Sequence, residues 1–220
     1  MKRIIIDKDS KGTIASIWAV LALIAVLVIL FCPACLKWII LPILLLFAFF
    51  VFWFHRVPDR VIPEGDEALV TSVADGKVVI VDRVYEKEYV KGDCIQVSIY
   101  MDFFDVHTNF WPITGEICYY KYHPGRYFLA FLPKSSEKNE HSSTAIRNAR
   151  GEVFFKQIAG TFARRIVCYS EEGMKVERGK QCGIIKFGSR IDIFLPLDAE
   201  ILVKEGEFTK ACITTIARLK

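Results

Sequence analysis

Ser189 follows a glycine in Phe187-Gly188-Ser189-Arg190. A hydroxyl on a glycine turn suggests a nucleophile, but the second flanking glycine of a serine-hydrolase elbow is missing. His107, in Asp105-Val106-His107-Thr108-Asn109, offers an imidazole that titrates near neutral pH and can pass a proton. Asp75 precedes Gly76, a pair that also makes an ordinary hairpin turn. The other histidines, His55, His123 and His141, lie in different segments, and no cysteine/histidine grouping has zinc spacing. No metal is therefore expected. A glycine-rich phosphate loop is absent as well.

The elements that must position these residues change character near His55. No charged residue lies between Thr13 and Phe31, or between Trp38 and Phe54. Each run spans roughly 25–28 Å as a helix, close to the hydrocarbon thickness of a bilayer. The pattern predicts a membrane hairpin over residues 1–55, with spans at about 13–31 and 38–54 and a turn from Cys32 to Lys37. A signal peptide would carry one shorter run followed by a small-residue cleavage site. Lys2, Arg3, Lys8 and Lys11 precede the first span, and Arg56 and Arg60 follow the second. Only Lys37 lies between them, so the cation rule places both ends, and the domain at 56–220, on the cytoplasmic side of the cell membrane.

Beyond the hairpin, hydrophobic residues alternate in short runs rich in Val, Ile, Phe and Tyr. Strands are predicted at Ala68–Val73, Lys77–Val84, Cys94–Tyr100, Glu116–Tyr122, Glu152–Ile158, Arg164–Tyr169, Cys182–Lys186, Arg190–Leu195 and Glu200–Lys204. Asp75-Gly76, Gly92-Asp93, Pro124-Gly125, Glu172-Gly173 and Glu205-Gly206 punctuate them. The polar stretch Ser135–Arg150 reads as a loop. Val176-Glu177-Arg178-Gly179 echoes Val203-Lys204-Glu205-Gly206, as in the pseudo-symmetric halves of a lipoyl- or biotinyl-type barrel sandwich. The fold class is mainly β: a barrel-sandwich domain behind a transmembrane helical hairpin. Of seven cysteines, Cys32 and Cys35 resemble a redox pair but lack its strand–helix setting. The other five read as reduced core residues. With a net charge of +4, no nucleic-acid partner is expected. Arg164, Arg165, Lys175, Arg178, Lys180 and Lys186 could favour an anionic lipid surface.

Cys182-Gly183-Ile184-Ile185-Lys186-Phe187-Gly188-Ser189-Arg190-Ile191-Asp192 resembles the self-cleavage site of phosphatidylserine decarboxylases, in their compact pyruvoyl-dependent form. Other segments agree in the same order: Val73–Val78, Asp105–Asn109 with Pro112 and Gly115, Tyr122–Gly125, Glu137–Glu140 and Gln157–Gly160. The resemblance implies that the Ser189 hydroxyl attacks the Gly188 carbonyl, that elimination then splits the chain between 188 and 189, and that Ser189 becomes a pyruvoyl group. That ketone would form a Schiff base with the amine of phosphatidylserine and release carbon dioxide, giving phosphatidylethanolamine. The partners implied are the membrane substrate and the chain's own pieces, 1–188 and 189–220, with self-association also open. His107 carries over as the histidine that assists decarboxylation, and Asp75 as the acid that supports self-cleavage. One departure stands out. Phe110 occupies the position where many members carry a second histidine, which leaves the group activating Ser189 open between His107, Asp75 with water, and strain.

Two other readings keep the hairpin and strands: a non-catalytic membrane-anchored barrel-sandwich adaptor, and a pyruvoyl decarboxylase of another amino-headgroup substrate. The cation counts make one prediction directly. A reporter fused after Lys220 should behave as cytoplasmic, and a label at Lys37 should be reachable only from outside. Labelling of domain residues from outside would reverse the topology.

Overall fold

The computed structural model describes residues 5–125, 139–160, 166–185 and 189–220. It divides into two units, Met1–Asp59 and Arg60–Lys220.

The first unit is a pair of 21-residue helices, α1 (Lys11–Phe31) and α2 (Ala34–Phe54). At 1.5 Å per residue each is about 31 Å long, enough to cross a bilayer. Large apolar side chains, among them Leu23, Phe31, Trp38 and Leu45, stand exposed around the helices, as suits a helix surrounded by lipid. The turn is shorter than the sequence suggests. It is Cys32-Pro33 alone, because the Pro33 carbonyl accepts the N–H groups of Leu36 and Lys37 at 3.1 and 3.2 Å and so starts α2 at once. Proline fits there, since the first turn has no partner for its missing N–H. At the base, β1 (Ile5–Ile6) pairs with β2 (Arg56–Val57), and Asp7 N–H donates to the His55 carbonyl at 3.1 Å. The chain thus returns to where it entered. Cys32 and Cys35 are unbridged.

The second unit is antiparallel throughout its described ladders and forms a curled half-barrel; in the chain as a whole 43% of residues are strand and 23% helix. Its centre is β13 (Ser189–Leu195), between β5 (Gly92–Met101) and β9 (Gly151–Ala159). Outward from β5 lie β4 (Gly76–Glu86) and β15 (Phe208–Thr209); outward from β9 lie β8 (His141–Asn148), β7 (Gly115–His123) and β11 (Lys175–Val176). Two smaller sheets accompany it. One joins β10 (Ile166–Cys168), β12 (Gln181–Ile185) and β6 (Thr108–Phe110); the other joins β14 (Glu200–Ile201), β16 (Thr215–Arg218) and β3 (Leu69–Thr71). Alternation along β13 sends Ile191, Ile193 and Leu195 into the main core with Ile99 and Phe155. Phe194 points the other way, into a smaller cluster with Phe154 and Cys94.

The segment expected to be a loop at Ser135–Arg150 is, from His141, a strand whose first six residues are buried. Its serines and threonine have polar partners: Ser142 with Gln157, Ser143 with Glu88, and Thr144 with Ser170. A strand satisfied in this way shows no hydrophobic alternation.

The sequence echo has a concrete form. Glu177–Lys180 and Lys204–Glu207 are each closed by a backbone bond, at 3.1 and 3.2 Å, with Gly179 and Gly206 at φ +79° and +91°. That is a type II turn, in which glycine supplies the positive φ. Each glycine N–H then donates to a neighbouring strand, Gly179 to Trp111 and Gly206 to Val78, and each of those residues donates back to the next carbonyl in the turn. Glu171–Met174, with Gly173 at φ +82°, repeats the unit a third time against Ile117. Arg178, grouped by sequence with lipid-facing cations, instead donates to the carbonyls of Pro63, Gly65, Asp66 and Leu69. Arg164, Arg165 and Lys186 lie outside the described residues.

Candidate active site

Ser189 opens β13, with Met101 on one side and Ala159 on the other. Its side chain is buried, and its hydroxyl lies 3.7 Å from Met101 Sδ. The same sulfur is 3.8 Å from Asn109 Nδ2. Asn109 Oδ1 accepts from Gln157 Nε2, and Gln157 Oε1 accepts from Ser142 Oγ, both at 2.8 Å. Residues from β13, β5, β6, β9 and β8 therefore form one polar thread through an apolar core. Satisfied networks of this kind fix a single side-chain arrangement. A thioether is a weak acceptor, so the Ser189 hydroxyl is lightly held.

The motifs scattered along the chain meet around this thread. Asn139 Nδ2 donates to Ala159 O at 2.7 Å, and Ala159 N–H donates to Glu140 O at 2.9 Å. Glu140 in turn accepts from Tyr122 Oη and from Ile166 N–H. His107 is fully buried, and its carbonyl accepts from Ile185 N–H at 3.2 Å, shortly before Gly188-Ser189 in sequence. Its Nδ1 lies 3.1 Å from the Asp105 carbonyl. Because a carbonyl only accepts, Nδ1 carries the hydrogen in that bond. Nε2 is then the nitrogen that can gain or lose a proton. Gly188, Glu137 and Lys138 lie outside the described residues.

Asp75 is placed differently. The Arg60 guanidinium grips both of its oxygens, at 2.6 Å for Nη2 to Oδ2, and Ala211 N–H donates to Oδ1 at 2.8 Å. Gly76 beside it, at φ +147°, would bring a Cβ within 2.2 Å of the Tyr100 carbonyl oxygen, so only glycine fits. This stretch packs beside β5, two strands from Ser189, a distance of about 10 Å. Asp75 is bonded to neither Ser189 nor His107. Cysteine chemistry is not favoured either. Burial pushes the Cys212 thiol up to about 12 and Cys182 well above its ordinary value, which keeps both protonated and unreactive at neutral pH.

Known proteins resemble the chain over most of its length. The family model for phosphatidylserine decarboxylase matches residues 47–217. A phosphatidylserine decarboxylase proenzyme of Cytophaga hutchinsonii is 40% identical over 215 residues, covering 96% of this chain and 97% of that one. One from Amoebophilus asiaticus is 47% identical over 175 residues, covering 79% and 77%. Another from Syntrophus aciditrophicus is 45% identical over 163 residues, covering 74% and 76%. The chain belongs to the phosphatidylserine decarboxylase family. It is a family of carboxy-lyases, and membership sets aside the non-catalytic adaptor.

Within the decarboxylase fold, Phe110 is a core residue at 4% exposure whose N–H donates to the Val73 carbonyl at 3.0 Å. Immediately after Ser189, Arg190 and Asp192 point to the opposite face as a buried ion pair, 1% and 0% exposed. Arg190 Nε and Nη2 donate to the two Asp192 oxygens at 2.7 and 2.8 Å. Ser98 Oγ donates to Asp192 Oδ1 at 2.7 Å. Sequence reading assigned these two no role, although two charges in an otherwise apolar strand were a visible signal of buried pairing. Removing one partner strands the other charge in a low-dielectric setting, which typically costs about 3–5 kcal/mol. Asp192→Ala should lose that much in denaturant unfolding, measured in a Ser189→Ala background to keep one chain. Arg190→Met combined with Asp192→Leu should lose clearly less.

Proposed function

We propose that this chain is a phosphatidylserine decarboxylase proenzyme that cleaves itself between Gly188 and Ser189 and works from the cytoplasmic face of the cell membrane. The observation that carries the reading is the meeting of Asp105–Asn109, Asn139-Glu140, Gln157–Ala159 and Ser189 at one end of the central sheet. Segments far apart in sequence, each resembling a family motif, are linked through Met101, Asn109 and Gln157 to the strand end that carries Ser189.

The site suits a self-made carbonyl group. Ser189 is walled off from solvent, carries no strong hydrogen bond that would tie up its lone pairs, and starts a strand fixed on both sides. A pyruvoyl ketone in its place would supply an electrophilic carbonyl for the substrate's amine and a sink for the electrons freed as carbon dioxide leaves. His107 supplies the proton, with Nδ1 held by the Asp105 carbonyl and Nε2 exchanging. Met101, Asn109 and Gln157 hold the residue at 189 in register. Asp75, gripped by Arg60, pins the approach of the 60s segment to the sheet, so its contribution to self-cleavage acts through placement rather than direct contact with Ser189. The hairpin keeps the domain at the surface, where a two-chain lipid stays in its bilayer.

Purified protein should consist of two chains, 1–188 and 189–220, the smaller blocked to Edman sequencing and reactive towards hydroxylamine. Ser189→Ala should remain one chain without activity. Recovery of an intact single chain that still decarboxylates phosphatidylserine would sink the proposal. Turnover faster on another amino-headgroup lipid would change the substrate but leave the chemistry.

His107→Ala should lower turnover about 10²–10⁴-fold, the usual cost of losing a positioned acid–base group, when rate is counted per pyruvoyl group formed. Wild-type turnover on that scale would withdraw His107 from the reaction.

A further inference from the structure

The other face of the central sheet holds a cluster that the decarboxylase chemistry does not use. Glu88 lies in the β4–β5 turn, His123 ends β7 and His141 begins β8. In the ladder His123 and His141 are direct partners, and their rings stack with centroids 4.3 Å apart. One ligand atom from each of the three residues lies within 4.8 Å of the others. They border a cavity of about 750 Å³ that Lys156, Arg190 and Asp192 also line.

The bonding around the cluster is that of oriented ligands. His141 Nδ1 lies 2.8 Å from the Asn139 carbonyl, so it carries the hydrogen and leaves a lone pair on Nε2. That is the outer bond by which ligating imidazoles are usually fixed. His123 Nε2 lies 2.5 Å from Glu88 Oε1, which Tyr119 Oη also approaches at 3.1 Å. Glu88 Oε2 is held separately, by Lys156 Nζ at 2.8 Å and Ser143 Oγ at 3.0 Å. One carboxylate oxygen is therefore anchored while the other faces two imidazoles.

We propose that Glu88, His123 and His141 form a binding site for a divalent first-row transition ion, zinc foremost. The ion takes the place of the proton between His123 and Glu88. His123 Nε2 loses that hydrogen and Nδ1 takes one up from solvent, so the imidazole stays neutral as it bonds the metal; Glu88 Oε1 becomes a single-oxygen ligand, and His141 Nε2 supplies the third bond. Ligand bonds of about 2.0–2.2 Å require these atoms to sit roughly 3.3 Å apart. The His–Glu pair must open slightly and His141 must close slightly. A fourth position faces the cavity. The four carboxylates lining that cavity, Asp82, Glu86, Glu88 and Asp192, outnumber its three fixed cations, Lys87, Lys156 and Arg190, which favours a cation. The Lys156 ammonium opposes it and limits affinity. Bound metal would fasten the ends of β7 and β8 to the β4–β5 turn.

None of this rests on the decarboxylase reading, and the test does not use activity. Chelator-treated full-length protein is titrated with zinc chloride by calorimetry in buffers of different ionisation heat, and with cobalt(II) by absorption. The expected result is one ion per chain, a raised melting temperature, and cobalt bands free of thiolate charge transfer. His141→Ala and the less buried His123→Gln should each weaken binding at least tenfold. Unchanged affinity in both folded variants, a thiolate band from the free cysteines, or no binding by millimolar zinc would each overturn the site and leave a hydrogen-bonded His–Glu pair.

Discussion

Everything in the soluble unit depends on β13 being an interior strand. All seven of its residues are buried, and it is laddered to β5 along its whole length and to β9 from Ser189 to Phe194. A strand so enclosed must satisfy both of its faces at once. The inner face does so with Ile191, Ile193 and Leu195. On the outer face Arg190 and Asp192 neutralise one another, and Ser98 donates to Asp192. Ser189, as the first residue, inherits a position fixed by both ladders, and among the described residues its hydroxyl meets only the weak Met101 sulfur acceptor. On the processing reading the same ladders explain how residues 189–220 stay with the rest of the molecule once cut. β13 lies between two strands of the larger piece, while β14, β15 and β16 pair or lie with β3 and β4.

Much of this was legible in the chain. The alternating strands at Lys77–Val84, Cys94–Tyr100, Glu152–Ile158 and Arg190–Leu195 lie within β4, β5, β9 and β13, because their core faces are aliphatic or aromatic. β8 was not legible, since three of its six buried positions, Ser142, Ser143 and Thr144, are hydroxyl residues serving a polar network. The Val176/Val203 echo was visible through its glycines. Its third copy at Glu171–Met174 was not, because only the turn repeats there and not the valine before it. At the site, the motif order named Ser189 and His107, whereas the thread through Met101, Asn109 and Gln157 depends on strand register. Register likewise hid the pairing of His123 with His141. They lie far apart in sequence, yet the β7–β8 ladder sets them opposite one another.

The ion pair of Arg60 with Asp75 shows how a motif can carry structure and chemistry together. Asp-Gly is required here by the glycine, which admits the Tyr100 carbonyl, and by the carboxylate, which receives Arg60 and the Ala211 N–H. Arg60 is the first residue of the soluble unit. Its grip on Asp75 therefore fixes where the chain enters the domain, next to β5 and hence to the strand that flanks Ser189. A residue can thus matter to a reaction at about 10 Å by holding the strands that position the reacting group.

Phe110, at the position where the sequence resemblance led to the expectation of a second histidine, is compatible with the proposed processing. Self-cleavage happens once in the life of a molecule, whereas decarboxylation is repeated. A step completed in about an hour tolerates a barrier of roughly 22 kcal/mol, while turnover at about 10 s⁻¹ requires roughly 16 kcal/mol. The difference of about 6 kcal/mol exceeds the roughly 3–5 kcal/mol that a positioned acid–base group supplies. On the proposed processing, a buried hydroxyl held in place, with a thioether for its partner among the described residues, can mature slowly without a dedicated base, and a core phenylalanine at position 110 is compatible with it. The repeated reaction has no such slack. On the proposed role of His107 as proton donor, the one imidazole of the motif falls under that stricter demand, and the Asp105 carbonyl fixes its tautomer.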